Sequence, residues 1–308
     1  SEQNYAGSDS QKLQIVATIF PEYNWVKEIL GDQAENVDLT LLLGNGTDMH
    51  SFQPTMEDIL KVSTCDLFIY VGGESDSWVA DALKGAGNPD RKAINLMDVL
   101  GDQVKEEEIV EGMQDEDGHT HEEEHTHDDD LEYDEHVWLS LKNASLFCDT
   151  IASSLADVDP EHSRLYQQNA EAYEEKLAAL DQEYQTSVEK SQSKTLLFAD
   201  RFPFRYLIDD YNLTYYAAFA GCSAETDASF ETITFLAGKL DELKLPAVLT
   251  IENSDQKVAK AVIENTNTKD QKILTLNSMQ SVTTKDVEEG TTYLSIMENN
   301  LQILKEAL

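Results

Sequence analysis

Two histidines stand in turns next to regular elements of the predicted structure. His50 lies in the segment 46–54, and His136 is followed directly by the apolar residues 137–139. Neutral imidazole is a common ligand of transition metals, and in open α/β sheets the loops that follow the strands converge at one edge and bind ligands there. We therefore take His50 and His136 as candidate metal ligands, with a hydrogen-bonded structural histidine as the alternative for each.

A second group of histidines falls within an acidic tract. His119, His121, His125 and His127 lie in the segment 105–135, which holds sixteen acidic residues and one lysine. Imidazoles two residues apart can chelate one divalent ion, and zinc suits imidazole best. The alternative is a solvated acidic segment that keeps the protein soluble. The spacing of His121 and His125 also matches the HExxH pattern of zinc proteases, but that pattern needs a helix, and no apolar periodicity supports one here.

The overall charge indicates which partners the protein has. The chain has 308 residues and a formal net charge of -38. This argues against nucleic acid and against direct contact with anionic lipid, since both require clustered basic residues. Cations are the natural ligands. Cys65, Cys148 and Cys222 form no CxxC pair, and we interpret them as buried thiols, with one disulfide as the alternative.

The ends of the chain and its apolar runs place further limits on its class. No run of about 18 apolar residues occurs, so no membrane-spanning helix is predicted. Residues 1–12 are mostly polar, lack the apolar core of a signal peptide and predict a flexible tail.

The rest of the chain alternates short apolar runs with helical stretches, which predicts an α/β fold with mainly parallel sheets. We expect an N-terminal lobe over 13–158, with the segment 105–135 as a disordered insertion. Apolar residues at spacings of three or four predict one long connecting helix within 159–192. A second, similar α/β lobe then follows over 193–308.

Several segments follow one another in a characteristic order from Leu13 to the end. They are 15–21, 46–58, 64–70, the acidic His-rich loop closed by 136–139, the long helix and a final helix that begins at 292–294. In this order they resemble the zinc and manganese solute-binding proteins of bacterial ABC importers. The resemblance implies two lobes joined by a rigid helix, with one metal ion in the cleft held by His50 and His136. The His-rich loop resembles that of the zinc-binding members.

The second half departs from the pattern of that family. Its members carry a His or Glu shortly before an aromatic residue and a Tyr, and the segment 198–206 places Arg201 there. A guanidinium group cannot ligate a cation. Asp200, one residue earlier, is the candidate ligand in its place, and an ion pair with Arg201 or Arg205 is its alternative role.

The remaining ligand candidates are also acidic. The family's late acidic ligand falls near Asn277, which is a weaker ligand than Asp. Glu252, after a predicted strand, and Glu225 are the other candidates for this half of the site, and each could instead neutralise Arg201 or lie exposed. At least one carboxylate is expected, because two neutral imidazoles leave the charge of a divalent ion uncompensated.

These observations predict an extracytoplasmic solute-binding protein that captures zinc, or alternatively manganese, and delivers it to an ABC permease. It is expected to act as a monomer, to be no enzyme, and to be held at the periplasmic or cell-surface side by a lipid on a residue outside this chain. The alternatives are a zinc buffer or sensor that acts through the His-rich loop, and a zinc-dependent hydrolase, which would need an open coordination position and a general base.

Overall fold

The computed structural model describes residues 12–85, 87–115 and 132–308. The predicted tail 1–12, apart from Lys12, and the four histidines of the acidic tract therefore lie outside the described residues. Among the helices that are described, none is both long and apolar enough to cross a membrane.

The strands form two parallel four-stranded sheets of identical topology. The first sheet has the order β2-β1-β3-β4 and the second has the order β6-β5-β7-β8, and every pairing is parallel. The strands are β1 (Leu13–Ala17), β2 (Val37–Leu41), β3 (Leu67–Tyr70), β4 (Lys92–Asn95), β5 (Thr195–Phe202), β6 (Thr214–Ala220), β7 (Ala247–Ile251) and β8 (Lys272–Leu276). The predicted α/β class with two similar lobes is confirmed.

Helices connect the strands, as parallel pairing requires. The first lobe contains α1 (Phe20–Leu30), α2 (Met56–Thr64), α3 (Val79–Lys84), α4 (Leu96–Leu100) and α5 (Leu141–Val158). The long helix is α6 (Ser163–Lys190), and the second lobe contains α7 (Arg205–Asp210), α8 (Phe230–Leu243), α9 (Lys257–Glu264), α10 (Thr284–Glu288) and α11 (Tyr293–Ala307). Short 3-10 turns at Met49–Ser51, Glu74–Asp76 and Val137–Leu139 lie close to the candidate ligands.

The long helix α6 joins the two lobes through one continuous core. Its 28 residues span about 42 Å at about 1.5 Å per residue. The buried face consists of the seven positions predicted from the apolar spacing, namely Tyr166, Ala170, Tyr173, Leu177, Leu180, Tyr184 and Val188. These side chains belong to a single hydrophobic cluster that contains residues of both sheets and of α1, α5 and α11. Each lobe also has a smaller cluster of its own, but the largest core is shared.

Buried hydrogen bonds also cross between the lobes. The indole nitrogen of Trp138 donates to the carbonyl of Ser278 at 3.0 Å, and the hydroxyl of Tyr293 donates to the carbonyl of Trp138 at 2.6 Å. The backbone N–H of Tyr293, at the start of α11, donates to the side chain of Asn24 in α1 at 2.8 Å. These contacts restrict large movements of one lobe relative to the other.

The two described ends of the segment 105–135 are hydrogen-bonded into the fold, in contrast to the expectation that the whole segment is a disordered insertion. Residues 105–107 run antiparallel to 132–134, with hydrogen bonds from Glu107 N to Glu132 O and from Asp134 N to Lys105 O, both 2.8 Å. Gln114 forms a bridge to Phe219 of β6. The acidic composition did not indicate this pairing, because the pairing is made by backbone hydrogen bonds, and these depend little on the polarity of the side chains.

The shared core predicts that α6 contributes strongly to stability. Replacing Leu177, which is fully buried, by Ala should lower the free energy of unfolding by about 2–5 kcal/mol, because it removes apolar contacts and leaves a cavity. The same substitution at Leu60, which is 62% exposed on α2, is the matched control and should change it by less than about 0.5 kcal/mol. Urea denaturation followed by circular dichroism measures both. Equal effects of the two substitutions would contradict a core centred on α6.

Candidate metal site

His50 lies in the connection between β2 and α2. The 3-10 turn Met49–Ser51 presents it, and the carboxylate of Asp48 begins this turn by accepting from the backbone N–H of His50 at 2.9 Å. The other carboxylate oxygen of Asp48 accepts from Arg201 of β5 at 2.7 Å. The His50 turn is therefore fixed from its own lobe and from the second lobe.

His136 is fully buried and follows the antiparallel pair formed by 105–107 and 132–134. The carboxylate of Asp134 accepts from the backbone N–H of His136 at 2.9 Å and binds its Nδ1 atom at 2.8 Å. Tyr206 of α7 holds both strands of the pair: its hydroxyl donates to the carbonyl of Asp134 at 2.7 Å and accepts from the N–H of Lys105 at 3.0 Å. A second-lobe side chain thus positions a first-lobe histidine.

The hydrogen bonds to the two rings determine their tautomers. Because an ionised carboxylate can only accept a hydrogen bond, Nδ1 of His136 carries the proton and donates it to Asp134 in a hydrogen bond. The hydroxyl of Ser75 donates to the Glu135 carboxylate at 2.7 Å, so it accepts from Nδ1 of His50 at 2.8 Å. In both neutral rings the Nε2 atom therefore carries a lone pair. Imidazoles held in this way by carboxylates and hydroxyls are typical of metal ligands.

The two Nε2 atoms face each other at 3.3 Å. Two lone pairs at this distance repel unless a cation, either a proton or a metal ion, lies between them. Two nitrogen ligands of one tetrahedral zinc ion, each about 2.0–2.1 Å from the metal, are about 3.3–3.4 Å apart. The observed separation thus matches one edge of a zinc coordination tetrahedron.

A third donor lies beside the two imidazoles. The Sγ atom of Cys222, in the turn after β6, lies within 4.8 Å of a ring nitrogen of both His50 and His136. Gly221 permits this approach, because a Cβ atom there would lie 2.6 Å from the carbonyl oxygen of Phe202 and 3.3 Å from Cε1 of His136. The second lobe therefore reaches the histidine pair through its backbone and a thiol.

Burial and neighbouring charges shift the two histidines in opposite directions. Burial, helped by the nearby His136, lowers the pKa of His50 below its ordinary value. Burial also opposes the charged form of His136, but the Asp134 carboxylate outweighs it and raises the pKa of His136. Burial together with the Glu107 carboxylate raises the pKa of the Cys222 thiol. Metal binding must displace protons held by these groups.

A strongly acidic cavity of about 540 Å³ leads to this site. His50 and Cys222 line it together with Glu74, Glu107, Glu132 and Glu135. A hydrogen bond from Glu74 raises the pKa of Glu132 to about 7. A cavity with this charge attracts cations and repels anions.

The acidic candidates of the second half are not part of this group. The Asp200 carboxylate accepts from the backbone N–H groups of Arg201 and Ile251, at 2.8 and 3.0 Å. Glu252 accepts from the backbone N–H and hydroxyl of Ser278 at 3.0 and 2.8 Å. Both carboxylates hold the loops at the strand ends, and neither is among the donors that converge on His50 and His136.

The other second-half candidates also lie outside the group. Glu225 is half-buried, and its backbone N–H binds the hydroxyl of Ser223 at 3.1 Å. The side-chain oxygen of Asn277 accepts from the N–H of Met279 at 2.8 Å. Arg201 forms an ion pair with Asp48, so neither Glu225 nor Glu252 is the residue that neutralises Arg201.

Comparison with known proteins agrees with this architecture. The family model described as zinc-uptake complex component A, periplasmic, matches residues 15–307. The chain belongs to this family, ZnuA.

Individual relatives extend the comparison. The chain is 33% identical over 299 residues to the zinc-binding lipoprotein AdcA of Streptococcus pneumoniae, covering 96% of this chain and 56% of the relative. It thus spans about half the length of the curated relatives of the AdcA type that it matches. To the high-affinity zinc uptake system protein ZnuA of Bacillus subtilis it is 29% identical over 308 residues, covering 100% of this chain and 91% of the relative.

Two solved structures show the same fold. The Zn(II)-bound ZnuA-like domain of Streptococcus pneumoniae AdcA is 27% identical with a TM-score of 0.73, covering 96% of this chain and 99% of that domain. The metal-dependent lipoprotein YcdH of Bacillus subtilis is 26% identical with a TM-score of 0.76, with the same coverage of 96% and 99%.

Sequence reasoning missed four residues of the site in this ZnuA-family chain. Asp134 and Glu135 precede His136 directly, and two acids beside a candidate ligand are a usable signal for a carboxylate that orients the ring. No local pattern marks Ser75. Cys222 is interpreted as a buried thiol because it forms no CxxC pair.

The orientation of His136 by Asp134 gives a testable prediction. Asp134→Asn should weaken zinc binding by about 10–100-fold, because the amide no longer fixes the Nδ1-protonated ring. Asp159→Asn is the matched control, since Asp159 binds Nδ1 of His162 at 2.9 Å outside the cavity, and it should leave zinc affinity unchanged. Calorimetric zinc titration measures both. Equal losses in the two variants would show that Asp134 acts only through the fold.

Proposed function

We propose that this protein captures zinc outside the cytoplasmic membrane and delivers it to an ABC permease. The observation that carries the proposal is the 3.3 Å separation of the Nε2 atoms of His50 and His136, which matches the distance between two nitrogen ligands of one zinc ion. Membership of the ZnuA family and the zinc-binding names of its relatives support the choice of metal. His50 and His136 are the first-lobe ligands in this proposal.

Release of the ion follows from the division of the site between lobes. His50 and His136 belong to the first lobe, and Cys222 belongs to the second. A small relative displacement separates the two sets of donors and lowers affinity, because the ion prefers the closed arrangement. The continuous core along α6 keeps this displacement small.

We infer that the protein is not an enzyme. A zinc hydrolase needs a carboxylate or imidazole free to act as a general base on bound water. The two carboxylates next to the imidazoles are both engaged: Asp134 binds Nδ1 of His136, and Glu135 binds the N–H and hydroxyl of Ser75 at 2.8 and 2.7 Å. These two carboxylates orient ligands, and membership of a zinc-uptake family supports a site that binds and releases an ion without altering a substrate.

The His-rich tract is proposed as an accessory zinc-binding segment. Its four histidines, His119, His121, His125 and His127, fall between Asp115 and Glu132, and these two residues both line the acidic cavity. The tract is therefore tethered at both ends beside the entrance to the site. Weak binding there raises the local zinc concentration at the cavity. This argument favours delivery to the His50 and His136 pair over a separate buffer or sensor.

The remaining parts of the proposal concern location and partners. Relatives named as lipoproteins support attachment of this protein to the outer face of the membrane through a lipid. The permease is the proposed protein partner, and the protein acts as a monomer. The acidic surface, with a net charge of -38, disfavours binding to nucleic acid.

Substitution of the histidines tests the proposed site. To remove the tract from the measurement, residues 116–131 are replaced by a Gly/Ser linker of equal length in all variants. In this background His50→Ala and His136→Ala should each weaken zinc binding by more than about 100-fold, since a ligand contributes more than its hydrogen-bonding partner. His162→Ala, a histidine outside the cavity, should have no effect. Calorimetry with zinc distinguishes these results, and tight binding by both cavity variants would sink the proposal.

The linker replacement alone tests the role of the tract. It removes eight acids and four histidines, so zinc should still bind tightly at one site per protein, while the association rate falls by about 10-fold or more at low salt, because local attraction is lost. Stopped-flow mixing with a fluorescent zinc chelator measures the rate. Complete loss of tight binding would instead identify the protein as a buffer that acts through the tract.

A further inference from the structure

The second lobe contributes one donor to the group around the histidine pair. In the part of the chain that the structure describes, the donors that come together with His50 and His136 include Cys222 and no carboxylate. Cys222 is partly exposed, lies on the wall of the acidic cavity and has its backbone N–H bound to Glu107 at 3.3 Å. Its thiol is therefore open to an ion that enters the cavity.

The neighbouring strand explains why the donor comes from this position. Arg201 occupies the place on β5 where the resemblance implies a histidine or acid, and its guanidinium is held by Asp48 at 2.7 Å. It cannot ligate a cation. Phe202 of β5 pairs with Ala220, the last residue of β6, so Cys222 lies two residues beyond that pair, in the turn that follows β6. The turn that contains Cys222 thus reaches the same end of the sheet.

The distances require only a small adjustment. In a tetrahedral zinc site a nitrogen at about 2.0–2.1 Å and a thiolate sulfur at about 2.3 Å from the metal are about 3.5–3.6 Å apart. The Sγ atom of Cys222 lies within 4.8 Å of a ring nitrogen of each histidine. An inward movement of the second-lobe turn by about 1 Å completes the arrangement, which is smaller than a typical closure of two lobes.

We propose that Cys222 binds the ion as a thiolate and that this sulfur makes the site selective for zinc and other borderline or soft ions over manganese. The inference rests on the proposed function and specifies its substrate class. On binding, the S–H bond gives way to a metal–sulfur bond and the proton leaves to solvent. Thiolate favours zinc and soft ions, whereas manganese prefers oxygen ligands. One thiolate with two neutral imidazoles leaves a bound divalent ion with a net charge of +1, which the acidic cavity stabilises.

The other two thiols provide a control. Cys65 and Cys148 are buried and belong to hydrophobic clusters, and neither is among the donors near the histidine pair. Cys65→Ser keeps a hydroxyl able to donate to the carbonyl of Val62, as the thiol does at 3.2 Å. This variant changes one thiol without altering the cavity.

The experiment compares the linker-replaced protein with its Cys222→Ser and Cys65→Ser variants under a thiol-free reductant. Zinc and manganese affinities are measured by competition with a fluorescent chelator, and cobalt(II) is used as a spectroscopic probe. Cys222→Ser should weaken zinc binding by about 10–100-fold or more and manganese binding much less. The ratio of zinc affinity to manganese affinity should therefore fall. Cobalt bound to the parent protein and to Cys65→Ser should show sulfur-to-metal charge-transfer absorption in the near ultraviolet, which Cys222→Ser lacks.

The outcomes separate this inference from the proposed function. If cobalt in the parent protein lacks the sulfur band, or Cys222→Ser keeps full zinc affinity and selectivity, the thiolate is not a ligand. His50→Ala and His136→Ala then decide whether the zinc site itself stands. If the parent protein binds no zinc tightly, the proposed function fails and this inference fails with it. Because the cobalt spectrum is taken on the parent protein, a folding defect in Cys222→Ser does not leave the question undecided.

Discussion

The site depends on two buried carboxylates that force two imidazole lone pairs together. Asp134 and Glu135 are each only 3% exposed, and burying an ionised carboxylate is costly unless its oxygens are bound. Here the oxygens are taken up by His136, by Ser75 and by backbone N–H groups. The Nε2 atoms of both neutral rings then carry lone pairs and lie 3.3 Å apart. A cation between the rings relieves this repulsion, so the arrangement is preorganised for an ion.

The division of the donors between lobes makes binding sensitive to the relative position of the lobes. Several contacts hold the lobes together around the histidine pair: Arg201 binds Asp48, Tyr206 supports Asp134, and Gly221 packs against His136. Around them runs a hydrophobic core that continues through α6 into both sheets. Because metal–ligand bonds vary little in length, a displacement of one lobe by about 1 Å would change the number of donors within reach of an ion. A stiff connection between the lobes suits such a site.

Charged groups act on the site both from the protein surface and from the immediate surroundings of the histidines. The net charge of -38 and the acidic cavity attract cations from solution. Close to the histidines, Arg201 forms an ion pair with Asp48 at the start of the His50 turn. The guanidinium therefore acts as a link between lobes, and the bound carboxylate of Asp48 offsets its positive charge.

The sequence alone determined the α/β class and the buried face of α6, and it indicated His50 and His136 as candidate ligands, because apolar spacing and residue chemistry are local properties. It did not reveal strand β4, which has a single buried residue, Ile94, and therefore no clear pattern. Only the tertiary structure decided which second-lobe donor meets the histidines. Asp200 and Glu252 looked suitable by position, but backbone N–H groups at the strand ends bind them. Cys222 reaches the site through a β-sheet register and a glycine contact, and both of these depend on residues distant in the chain.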